Sequence, residues 1–229
     1  MLRIGKTIFG LIALTILLGS CWSKKNDLGH DIPSQLVCRF TEGVLTEPAD
    51  NSINVSPTAF FSKDTVSIHH MVSNAFGSFA ALPGSQKPKL KKGIWYKMEI
   101  YLFDKENNRL NQQFFQPDQI EIHQFFFNLM SNETEVPKGI SYYYSDVING
   151  QLLETPVGFT GYIRVNKELE APELRLMLVH LKTGNKYEAD GKPNPFDKPS
   201  PRVLEFGDFA VFIGIEIKKY PFFQLTNKE

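Results

Sequence analysis

The side chains best suited to chemistry are the histidines, because they are few and unevenly placed. Of the five, His30 lies in a polar stretch, while His69, His70, His123 and His180 fall in or at the end of segments that alternate apolar and polar residues. Such alternation marks β-strands. Within Gln119 to Phe127, a period of two sets Glu121, His123, Phe125 and Phe127 on one face and Ile120, Ile122, Gln124 and Phe126 on the other. Imidazole nitrogens and a carboxylate are suitable ligands for zinc or a similar divalent metal. Strand ends from different parts of a β-fold can converge, so at least two of the four histidines are expected to cluster near one end, with Glu121 as a further ligand. A metal needs neutral imidazole, and its affinity would fall as pH drops through roughly 6. Spacing argues the other way. The adjacent His69 and His70 point to opposite faces of one strand, and no pair has the tight separation of a metal motif, so each histidine also reads as a hydrogen-bonded rim residue.

Catalytic signatures are missing. The chain has no Gly-x-Ser-x-Gly elbow, no phosphate-cradling Gly-Lys-Ser/Thr loop, no His-Glu-x-x-His helix and no Cys-x-x-Cys pair. The expectation is a protein that is not an enzyme. Aromatic runs offer a binding surface instead: Tyr142, Tyr143 and Tyr144 in succession put a phenol on each face of a strand, and Trp95, Tyr96 and Tyr101 lie on another. Exposed rings stack on sugars or clamp flat ligands. With 19 Phe in the chain, most of these rings are expected in the core.

The elements that must position these groups read as strands. Leu36, Cys38 and Phe40 alternate with Val37, Arg39 and Thr41, and Val66, Ile68 and His70 alternate with Thr65, Ser67 and His69. Tyr96, Met98, Ile100 and Leu102, then Leu174, Leu176, Leu178 and His180, then Val211, Ile213, Ile215 and Ile217, each share one face. Between the runs stand turn signals at Leu82-Pro83-Gly84, Asp104 to Asn108, Gln116-Pro117-Asp118, Pro137-Lys138-Gly139 and Asn149-Gly150. No dozen residues carry a helical period with caps. The fold class expected is all-β, a single antiparallel immunoglobulin-like β-sandwich spanning 34–229. Its longest loop would be Gly184 to Pro201, where prolines cannot feed a central ladder. Basic and acidic side chains number 25 each, and the one basic cluster, Lys87 to Lys92, is broken by Pro88 and reads as a solvated loop. Nucleic acid is excluded as a partner on that balance.

Residues 1–20 read as a secretion signal: Arg3 and Lys6 give a basic start and Ile8 to Leu18 an apolar run too short to span a bilayer with ease. It closes on Leu18-Gly19-Ser20-Cys21, which resembles the lipobox of bacterial lipoproteins. The resemblance implies cleavage before Cys21, acylation of its thiol, and a membrane anchor without a spanning helix. Residues 21–33 would then be the lipidated cysteine and a flexible spacer. Cys38 would be the only remaining thiol, so no intramolecular disulfide is expected.

The segment His123-Gln124-Phe125-Phe126-Phe127, with the lipobox, Lys97 to Asp104 followed by Asn107 to Leu110, and the strand ending Val179-His180, resembles a group of cell-envelope lipoproteins of Bacteroidota. The resemblance implies an extracytoplasmic β-sandwich at the outer membrane, capturing a divalent metal or metal complex beside an outer-membrane transporter. Trp22 to Asp27 carries lysines rather than an acidic export signal, which leaves the leaflet open. Lys63-Asp64-Thr65-Val66 contains Asp-Thr-Val, similar to the O-glycosylation signal of Bacteroidota, and makes Thr65 a candidate site. The competing expectation is an interaction module that docks an envelope protein or glycan and holds no small-molecule ligand.

Overall fold

A computed structural model describes residues 30–50, 52–73, 78–82, 89–127, 139–166, 173–181, 186–191, 194–197 and 204–215, the last stretch as backbone alone. The signal segment and Cys21 lie outside the described residues. The protein is all-β. Ten strands form a mostly antiparallel, curled sheet in the order β6-β11-β12-β3-β2-β1-β5-β10-β7, with β4 beside β12. They are β1 (Gln35–Leu45), β2 (Phe60–Ser73), β3 (Ser78–Ala81), β4 (Lys89–Leu90), β5 (Trp95–Phe103), β6 (His123–Phe127), β7 (Ile140–Tyr144), β10 (Thr160–Val165), β11 (Glu173–Leu181) and β12 (Leu204–Ile215). A separate hairpin, β8 (Val147–Ile148) and β9 (Gln151–Leu152), turns on Asn149-Gly150, both at positive φ (51° and 80°) as a two-residue hairpin loop requires.

Alternation builds the core. The inward phases of β1 (Leu36, Cys38, Phe40) and β5 (Tyr96, Met98, Ile100, Leu102) pack in one cluster with Phe125 and Phe127 of β6, Tyr142 and Tyr144 of β7, and Leu174, Leu176 and Leu178 of β11. The two ends of the strand order therefore meet. Tyr144 donates its hydroxyl proton to the Phe125 carbonyl at 2.5 Å and accepts from the Gln124 amide at 3.1 Å. The rings of Phe127 and Tyr142 meet edge to face at 4.9 Å. A satellite cluster of Leu45, Val55, Trp95 and Tyr162, joined by Phe60 and Tyr143, covers part of the opposite face. Cys38 is a buried free thiol.

Three expectations need correction. On β2 the phase is inverted: Val66 and Ile68 are 41% and 56% exposed, His70 is exposed with them, and His69 sits on the Cys38 side of the sheet. An apolar phase normally marks the inner face of a strand, but on this strand it marks the outer one. Glu121 is not in a strand, because Pro117 opens a one-turn helix, α1 (Pro117–Ile120), and Glu121-Ile122 form a turn before β6 begins. Proline at the first helical position loses no hydrogen bond there, which favours the turn of helix over an early strand. Lys87 to Lys92 is not wholly a solvated loop, since Lys89-Leu90 pairs with Gly214-Ile215 and Leu90 is buried in the core. Asp31 accepts from and donates to the Gln113 side chain, and the Ser34 amide donates to the Phe103 carbonyl.

Candidate functional site

Strand register assembles the outer face between β2 and β7. Directly opposed residues share a face of a sheet, and the pairings Arg39↔Glu99↔Thr160 and Thr41↔Lys97↔Tyr162↔Tyr143 set two rows of polar and aromatic side chains side by side. Ile68 and Val66 extend these rows onto β2, where they oppose Arg39 and Thr41. A groove of about 260 Å³ opens here, lined by Arg39, Thr41, Pro57, Phe60, Ser62, Lys97, Glu99 and Tyr162. One wall is aromatic. Phe60 packs tilted against the buried Tyr162 with ring centroids 4.8 Å apart, and its ring lies across Gly43, where a Cβ would collide with it. The floor is charged: Glu99 receives Lys97 at 2.9 Å and Arg39 at 3.6 Å. The Arg39 Nε is buried with no hydrogen-bond partner among the described residues, while its Nη1 is the atom that meets Glu99. Burial, then the charge of Glu99, lifts the neighbouring Tyr101 hydroxyl above its ordinary value, and Arg109 stacks 4.6 Å over that ring.

Farther along the same face, Arg164 stacks 4.6 Å over Trp95 and pairs with Glu47 at 2.9 Å, while Tyr143 donates to the same carboxylate at 3.2 Å. That arrangement is closed on itself. The groove is where polar groups, an aromatic wall and free volume coincide.

The histidines divide. His123 and His180 are register partners on β6 and β11, with rings stacked at 4.8 Å and 16° between planes. His123 is buried against Phe114, and its Nδ1 lies 3.1 Å from the Gln119 carbonyl. His69 and His70 belong to β2, opposite Cys38 and Val37, with β3 and β12 between that strand and β11 in the sheet order. Among the described residues no group of three His, Cys, Asp or Glu could hold a metal. A structural zinc takes four ligands and a catalytic one three. Thr65 is exposed on β2.

Near the carbonyl of His123 lie two buried charged groups that act on each other through their charges. Asp146 follows β7 and accepts from the amides of Val157 (2.8 Å), Gly158 (2.5 Å) and Thr160 (2.8 Å). Lys186, also buried, donates to the Pro156 carbonyl at 2.9 Å and to the carbonyl of His123. Burial pushes the Asp146 carboxyl up, against the pull of those amides and of Lys186, and pulls Lys186 down to about 7. These groups tie the start of β6 to the loop before β10. Enclosed as they are, they clasp structure rather than meet a ligand.

No family model, curated protein or solved structure matches the chain. The groove and the clasp therefore stand on their own geometry.

Sequence reasoning found His123 and His180 but passed over Arg39, Thr41, Phe60, Ser62, Lys97, Glu99 and Tyr162. The signal was partly present, since Arg39-x-Thr41 and Lys97-x-Glu99 are the polar phases of alternating strands. Which polar phases lie side by side depends on register between strands separated by about sixty residues, and no local pattern carries that.

Proposed function

We propose that this chain is a non-enzymatic, lipid-anchored binding module of the cell envelope whose outer sheet face takes a glycan through the Phe60 groove. The observation that carries this is the pairing, in one open groove, of an aromatic wall with hydroxyl and charged groups. Sugars present apolar ring faces and hydroxyl edges, which such a mixture satisfies together. At about 260 Å³ the groove lies just below the usual range of about 300–1,000 Å³ for drug-sized ligands, a size suited to one or two sugar units of a longer chain. The exposed Val66 and Ile68 continue the surface beyond it.

The lipobox supports a location outside the cytoplasm at the outer membrane, where glycans are abundant. The finer fold class belongs to the same proposal. An immunoglobulin-like sandwich would set β7, β10, β5, β1 and β2 against β6, β11, β12 and β3, and the contacts of Tyr142 and Tyr144 with Phe127 and Phe125 support halves that face each other. Metal capture has less behind it, because only two of the expected ligands adjoin.

The test is an array of neutral and acidic oligosaccharides probed with the domain and with Phe60→Ala. Wild type is expected to bind members of the array and the variant to lose most of that binding. Signal equal in both proteins, or none in either, rejects the groove as a glycan site.

A further inference from the structure

The charges around the groove do not balance. Arg39 and Lys97, with side chains 42% and 30% exposed, pair with one carboxylate, Glu99, which is 15% exposed. A third cation, Arg109, reaches the same neighbourhood over Tyr101, a ring that responds to Glu99, Arg109 and Arg39 together. The carboxylate is thus the least exposed of the three side chains, although it lines the groove together with both cations.

Neutralising one carboxylate uses one positive charge, and Arg39 and Lys97 together carry two. Guanidinium forks and ammonium groups form their strongest hydrogen bonds with carboxylates. Resting on the glycan reading above, we propose that the groove selects acidic sugars, binding a uronate carboxylate with Arg39 and Lys97 while Phe60 packs on the apolar face of the ring and Thr41 and Ser62 meet its hydroxyls. Glu99 then acts as a positioning residue: its bonds to both cations hold their side chains in one geometry and reduce the rotamer freedom lost on binding.

Trigalacturonic acid and its fully methyl-esterified counterpart separate charge from sugar, because esterification removes the carboxylates and leaves the rings. Calorimetric titration of wild type, Arg39→Gln, Lys97→Gln and Phe60→Ala with both saccharides, with citrate as a sugar-free polyanion, is the experiment. The acid is expected to bind wild type about tenfold more tightly than the ester, equivalent to ~1.4 kcal/mol, with the margin shrinking as salt rises. Either Gln variant should abolish that margin, and Phe60→Ala should weaken both saccharides. Equal affinity for acid and ester overturns the selectivity and leaves the glycan reading in place. Citrate binding as tightly as the acid overturns the role of the ring, and a failure of both saccharides overturns the proposal, while the oligosaccharide array decides the glycan reading separately.

Discussion

Lys186 sits in an environment far from what its type prefers. An ammonium buried beside Asp146, with Glu121 adding a second negative influence, stays in the interior only because two carbonyls and a carboxylate compensate part of its desolvation. Its folded pKa of about 7 lies below the unfolded value near 10.4. The cost of the buried charge is therefore fully present below pH 7 and is relieved as pH rises from about 7 toward 10. Cys38 and the buried Tyr142 and Tyr144 act with the opposite sign, since burial raises them and the unfolded chain ionises first. That opposition sets in as the unfolded thiol titrates around pH 8.5, which leaves a window below about pH 8. Urea unfolding between about pH 7 and 8 should show wild-type stability rising with pH more steeply than that of Lys186→Met. Equal slopes in the two proteins would contradict the assignment. Neither member of this pair could be singled out in the sequence, because Asp146 and Lys186 are forty residues apart and look like ordinary surface charges.

At the scale of elements, alternation was a good guide to where strands run and a poor guide to which side faces in. It works on β1 and β5, whose apolar phases do pack in the core. It fails on β2, because the strand's apolar outer residues border the groove instead of the core, and a period of two carries no sign. It also fails at α1, where Pro117 starts a turn of helix inside a segment whose apolar spacing fits a strand. The groove depends on a single close approach between β1 and β2. Gly43 lets the Phe60 ring cross it, and a Cβ there would stand 2.5 Å from the Phe61 carbonyl oxygen as well as against the ring. Gly43→Ala should therefore displace Phe60 and cost about 1–3 kcal/mol, the usual range for overpacking, read as a lower unfolding midpoint and a changed near-ultraviolet circular dichroism signal from the Phe60–Tyr162 pair. A variant with wild-type stability and an unchanged signal would show that the ring does not lie where the geometry puts it.

For the whole molecule, curling one sheet until its ends meet divides labour between two faces. The inner face holds the aromatic core, the histidine pair and the Asp146–Lys186 clasp; the outer face keeps the polar phases of β1 and β5 in register and open to solvent. The all-β class was legible from alternation and turn signals, whereas the continuous strand order, fixed by long-range pairing, was not. This division makes a spatial claim that amide hydrogen exchange can read directly, comparing the protein alone with the protein in a mixed pool of neutral and acidic oligosaccharides. Slowed exchange is predicted for peptides covering Arg39 to Thr41, Phe60 to Ser62, Lys97 to Glu99 and Thr160 to Tyr162, with Gln119 to Gln124 and Leu178 to Leu181 unchanged. Protection centred instead on the segments carrying His123 and His180, or no protection anywhere, would contradict the outer groove as the binding site.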